Sequence, residues 1–156
     1  MKVLVFHIGR GRYGLPLGAI DRVLPVARLA PLPGAPHFVP GLLDLHGEAI
    51  AVIDLSRLAG SPPEAVRYDT RILLVEVPAA GRPRRLGLKA ERVAGVLELA
   101  GEALERDVAA APWLGAVMRD PAPEPGFEGA LLQLLDPARL LAPEVEALLF
   151  GEAGAA

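Results

Sequence analysis

Tyr13-Gly14-Leu15-Pro16-Leu17-Gly18-Ala19-Ile20-Asp21-Arg22-Val23-Leu24-Pro25-Val26 returns, without a gap, as Leu86-Gly87-Leu88-Lys89-Ala90-Glu91-Arg92-Val93-Ala94-Gly95-Val96-Leu97-Glu98-Leu99. Both stretches carry Gly-Leu, a spacer, a β-branched residue and, three positions later, Val-Leu. Each follows an apolar run and a turn: Val3 to Ile8 and then Gly9 to Arg12, Ile72 to Val77 and then Pro78 to Arg85. Each half later closes on an apolar run, an Asp and a short helical segment, at Asp54 and at Asp136. Such self-similarity marks a duplicated unit. The chain of 156 residues reads as one domain over 1–150, pseudo-duplicated at about 1–65 and 66–150, with 151–156 as a flexible tail.

Working outward from the repeat, the remaining apolar runs are short and bounded by Gly, Pro or charge, the pattern of strands between turns. They are Gly41 to Leu45, Ala49 to Ile53, Ala116 to Arg119 and Ala130 to Leu135. Within the repeats, Tyr13 to Leu17, Ile20 to Val26, Leu86 to Leu88 and Val93 to Leu99 read as separate strands. Helical signals are few. Asp54 before Leu55-Ser56-Arg57-Leu58 and Asp136 before Pro137 are N-caps of about one turn each. Pro143 opens one short amphipathic helix that ends at Gly151.

Strands this short are best stabilised by curling, which hides their edges. The expectation is an all-β fold of two small closed barrels, packed together with short helices. Where the copies meet, an apolar groove is expected, suited to a partner helix.

Composition narrows the function. A net charge of -3 offers no broad positive field for nucleic acid or anionic lipid. With no Cys there are no disulfides, thiolate metal sites or Cys nucleophiles. No apolar run approaches the length of a membrane span or a signal-peptide core, so the expectation is a cytoplasmic chain without direct membrane insertion. Ser occurs only at 56 and 61, Thr only at 70, Gln only at 133, and Asn nowhere. Few polar side chains remain from which to cluster an active site.

Three motifs mislead. Gly9-Arg10-Gly11-Arg12-Tyr13-Gly14 fits the dinucleotide fingerprint, but Pro16 and Gly18 stand where its helix must run, so it reads as a hairpin turn. His7, His37 and His46 are too far apart to suggest a metal site. Arg82, Arg84 and Arg85 read as a solvated turn and are assigned no function. No catalytic, cofactor-binding or metal-binding residue is assigned.

The stretch from Pro31 to Leu55 carries Pro31-Leu32-Pro33-Gly34, Pro40-Gly41-Leu42-Leu43-Asp44-Leu45-His46-Gly47 and Ala49-Ile50-Ala51-Val52-Ile53-Asp54-Leu55. It resembles the signature of CheW-like domains: Pro-x-x-Pro, Gly, apolar residues, Leu-Arg-Gly, then an apolar strand ending in Asp-Leu. The likeness extends from Leu4 to Leu149.

This resemblance implies two five-stranded SH3-like barrels and a non-catalytic adaptor role. The implied partners are the regulatory domain of a CheA-type histidine kinase and the cytoplasmic tip of chemoreceptors. Groove positions carried over by place are Ile20, Val23, Val93 and Val96, with Gly41 and Gly87 permitting close backbone approach. Two positions depart from the family pattern. His46 replaces the usual Arg, whose charge-assisted bonds are worth about 1.5–3 kcal/mol. Arg22 replaces the usual Glu and reverses the charge there, which points to an altered partner pairing in a divergent array. The competing readings are a small-molecule-binding or catalytic β-barrel and a nucleic-acid-binding barrel. Acidity and few aromatics weigh against the latter.

Overall fold

The computed structural model describes residues 1–104, 109–125 and 130–151. The expected tail beyond Gly151 lies outside the described residues. Nine strands form one connected sheet: β1 (Lys2–Ile8), β2 (Gly11–Pro16), β3 (Ile20–Pro25), β4 (Gly41–Leu45), β5 (Glu48–Asp54), β6 (Arg71–Ala79), β7 (Arg82–Glu98), β8 (Leu114–Arg119) and β9 (Leu131–Leu135). Two short helices accompany them, α1 (Leu55–Leu58) and α2 (Pro143–Phe150). Asp54 caps α1 by accepting from the amides of Ser56 and Arg57, and Asp136 caps a 3-10 turn at Pro137–Arg139 through the amide of Ala138. Gly151, at φ 64°, ends α2 with its amide on the Ala147 carbonyl.

Strand pairing follows the repeat and also crosses it. One five-stranded group runs β7-β1-β2-β9-β8, and the other runs β3-β6-β7-β5-β4. Every relation in one has its counterpart in the other. Gly14 on β2 pairs in parallel with Leu134 of β9, as Gly87 on β7 pairs in parallel with Val52 of β5. Val23 of β3 lies opposite Leu73 of β6, as Val96 of β7 lies opposite Leu4 of β1. The second strand of each repeat therefore pairs with the first strand of the other half, lacing the two groups together.

Two expectations need correction. Leu86 to Leu88 and Val93 to Leu99 are not separate strands but parts of the single strand β7, Arg82–Glu98. The first copy is interrupted by Pro16 and Gly18, where a 3-10 turn forms at Leu17–Ala19. The second copy has Lys89 and Glu91 there, so the strand continues and turns at Arg92, whose φ is 49°. Nor are the barrels closed by hydrogen bonding. The sheet is open, with β3 and β4 as the outer strands of one group and β8 as an outer strand of the other. Sharing β7 joins the groups into one sheet, and among the described residues neither group has a closing ladder.

Alternation along the inner strands builds three apolar layers. On β1, Leu4, Phe6 and Ile8 point into a core shared by both groups, while Val3 and Val5 point into the first group's own core with Met118 and Leu132. On β6, Leu73, Val75 and Val77 enter the shared core, while Ile72 and Leu74 join Leu43, Ile50 and Val52 in the second group's core. Burial on both faces explains why Val3 to Phe6 and Ile72 to Val75 are unbroken apolar runs rather than alternating ones. The shared core is completed by Trp113, Leu140 and Leu55, and Leu149 and Phe150 of α2 pack against it.

The Gly9-Arg10 turn joins β1 to β2 directly, and β2 continues as strand, so the glycine motif is a hairpin. With φ 56° at Gly9, the turn has the positive first position of a type II′ hairpin.

Candidate partner-binding surface

The space between the two groups, expected to form an open apolar groove, is filled by the chain's own side chains. Ile20 and Val93, equivalent in the repeats, are half-buried and pack against this shared core. Three residues further along each strand, Val23 is 45% exposed and Val96 is 50% exposed. Their cross-strand partners Leu73 and Leu4 both belong to the shared core. Val23 and Val96 therefore extend that apolar layer to its rim, one from each copy.

The two glycines serve the chain itself. Gly41 and Gly87 are buried. A Cβ at Gly87 would lie 3.1 Å from Ile72 Cγ2 and 3.2 Å from Val52 Cγ2. The equivalent Gly14 is crowded in the same way by Leu132 and Val3, at 3.0 and 3.2 Å. At Gly41 the close approach is to the Ala30 backbone. The room that a side chain would need at either glycine is taken by the chain's own atoms.

The two departures from the family pattern are both on the surface. His46 occupies the β4–β5 turn with Gly47, at φ 51° and 89°, the left-handed pair of a type I′ hairpin. Asp44 Oδ1 accepts from the Gly47 amide at 2.9 Å and holds the turn. Arg22 is exposed on β3 and has no ion-pair partner among the described residues.

What links these positions is Arg85, which the sequence reading set aside as a solvated turn residue. Its guanidinium reaches Asp21 on β3 at 3.1 Å and Glu48 at the start of β5 at 3.2 Å. Asp21 adjoins Arg22, and Glu48 lies two residues beyond His46. A signal for Arg85 was present: Arg12 precedes Tyr13 as Arg85 precedes Leu86, so the repeat begins one residue earlier than the apolar pattern suggests. Arg12 also forms an ion pair, with Asp120, Nε to Oδ2 at 3.0 Å, though without the alignment of a hydrogen bond. The third arginine, Arg84, lies over the Phe150 ring at 5.6 Å from its centroid and helps seat α2.

A cleft of about 590 Å³ beside the β1–β2 turn gathers most of the remaining polar groups. His7 Nδ1 is 3.0 Å from the Arg92 carbonyl oxygen, and its Nε2 is 3.1 Å from Glu124 Oε1. Glu64 grips the Arg92 guanidinium through two contacts, and this hydrogen bonding and charge raise Arg92 above the ordinary arginine pKa. Deeper, the buried Glu91 carboxylate accepts from Ser56 Oγ and from the Glu64 amide, each at 2.8 Å. These groups are spent on one another. They fasten the 61–64 segment, α1 and the bend in β7. Among the described residues, no cluster of three or more His, Cys, Asp or Glu is arranged to hold a metal ion.

Comparison with known proteins agrees with this architecture. The CheW-like domain family model matches residues 2–144. The chemotaxis protein CheW of Thermotoga maritima is 26% identical over 104 residues, covering 67% of this chain and 66% of that protein. Protein PilI of Pseudomonas aeruginosa is 30% identical over 71 residues, 46% of this chain and 40% of that protein. Protein FrzA of Myxococcus xanthus is 31% identical over 117 residues, covering 62% of this chain and 73% of that protein. The crystal structure of the scaffolding protein TtCheW from Thermoanaerobacter tengcongensis superposes with a TM-score of 0.76 at 21% identity, over 97% of this chain and 94% of that one. With its two laced five-stranded groups and a family match spanning both, the chain belongs to the CheW-like domain family.

Proposed function

We propose that this protein is a non-catalytic adaptor that couples chemoreceptors to a CheA-type histidine kinase in a bacterial chemosensory array. The observation that carries this reading is the extent of the family match, residues 2–144, which includes every strand of both groups. The names of the relatives, a chemotaxis protein and a scaffolding protein among them, point the same way. In the cleft beside the β1–β2 turn, His7, Glu64, Arg92 and Glu124 are engaged in hydrogen bonds and ion pairs, which favours a binding role over turnover.

In this reading the receptor tip packs on the apolar rim formed by Val23 and Val96, with Ile20 and Val93 supporting it from beneath. The kinase regulatory domain meets the second group, where Arg22 and His46 are exposed. Among the described residues no helix is long and apolar enough to cross a membrane, so attachment to a receptor array at the membrane falls to the partners. The test is co-purification of the tagged chain with a receptor cytoplasmic hairpin and a kinase regulatory domain. Capture of both supports the adaptor role. Capture of neither, with a stoichiometric metabolite in native mass spectra, replaces it with a ligand-binding module.

A further inference from the structure

In the second group one side chain links an outer strand to the strand next to the other outer strand. β3 and β4 are the outer strands of that group and do not pair with each other. Arg85, from β7 in the middle of the group, holds Asp21 on the outer strand β3 and Glu48 on β5, the neighbour of the other outer strand. Its guanidinium is planar and multidentate, so it fixes both the separation and the orientation of the two carboxylates. A single ammonium on a flexible stem would not.

We infer that Arg85 is a positioning residue for partner recognition: it sets the spacing between the strand bearing Arg22 and the turn bearing His46 without itself touching the partner. This rests on the adaptor reading and adds to it the group that holds the surface in shape. The asymmetry between the repeats supports the assignment. The equivalent Arg12 is 13% exposed and pairs with the wholly buried Asp120, as a structural ion pair does. Arg85 is 39% exposed, and Asp21 and Glu48 are each about half exposed. An exposed pair contributes little to global stability. What it does fix is local, namely the relation of two surface segments that have no ladder between them. Asp21 and Glu48 are also neutralised by it, which leaves Arg22 as the cation of β3 without an ion-pair partner.

The experiment uses the full chain and the regulatory domain of its cognate CheA-type kinase, with affinity measured by titration calorimetry. Arg85→Glu is expected to weaken binding about tenfold, the scale of a lost charge pair at an interface. Arg85→Glu combined with Glu48→Lys restores one of the two intramolecular pairs and is expected to recover part of that loss. A residue that touched the partner directly would not be rescued by a change elsewhere in its own chain. Binding by Arg85→Glu equal to wild type, or a double variant no better than the single one, overturns the proposal. If the wild-type chain does not bind the kinase domain at all, the adaptor reading fails, and the clasp is judged separately by amide chemical shifts. Arg85→Glu must then move the Arg22 and His46 amides and the double variant must return them; unmoved amides overturn it.

Discussion

The Cβ that Gly41 lacks would overlap the carbonyl oxygen of Ala30. Ala30 and Leu42 exchange two backbone hydrogen bonds, at 2.9 and 2.8 Å, which lay the proline-rich segment against the outer edge of β4. Gly41 itself sits at φ 155°, outside the range that L side chains favour. Gly41→Ala therefore has to break the bridge or move the backbone, at a cost of about 3 kcal/mol. Urea unfolding measures it, and a variant as stable as wild type contradicts the packing described.

Glu91 is a buried carboxylate whose contacts are a hydroxyl and an amide. Removing the Ser56 hydroxyl strips one of its two hydrogen bonds, and Ser56→Ala is expected to cost about 1–3 kcal/mol. Glu91→Ala frees the Glu64 amide as well, so hydrogen exchange at Glu64 should rise sharply in that variant. Unchanged protection there would detach the 61–64 segment from Glu91.

Asp120 has a fully buried side chain and faces a guanidinium that is only 13% exposed. Asp120→Ala leaves that cation buried without its counter-charge, and a loss of about 3–5 kcal/mol is expected from denaturant unfolding. Arg85→Met, at the equivalent place in the other repeat, should shift stability by less than about 1 kcal/mol. Similar costs for both would remove the asymmetry between the buried and the exposed arginine.

Val23 and Val96 are close to half exposed, so Val23→Asp and Val96→Asp should each leave unfolding free energy within about 0.5 kcal/mol of wild type. Binding of a receptor hairpin should nonetheless fall about tenfold or more in each, because a carboxylate is buried without a partner on docking. Leu73→Ala, directly behind Val23, should instead cost about 2–5 kcal/mol of stability. Receptor binding that survives both rim substitutions would move the interface elsewhere.

Much of this architecture was legible from the residues. Gly14 and Gly87 marked the repeat because each sits where two neighbouring strands leave no room for a side chain, a steric demand that survives sequence drift. Asp54 and Asp136 announced their caps, since a carboxylate before a short helical turn has a local role. The continuity of β7 was obscured because Lys89, Glu91 and Arg92 are charged and read as a break, although Ala90 and Glu91 are buried. That depends on tertiary contacts, Glu91 finding Ser56 and Glu64. The open seam and its arginine were also hidden: pairing across the repeats is a long-range outcome, and an Arg beside Gly81 and Pro83 looks like any exposed turn. How deeply an apolar residue is buried was equally unreadable: Ile20 packs on the shared core, and Val23, on the same layer, is 45% exposed.

The adaptor reading is tested most directly by titrating the wild-type chain with the purified regulatory domain of a CheA-type kinase from the same organism. The account predicts saturable one-to-one association in the micromolar range. No detectable association at about 100 µM of each protein, where a complex of even −6 kcal/mol would be populated, would contradict it.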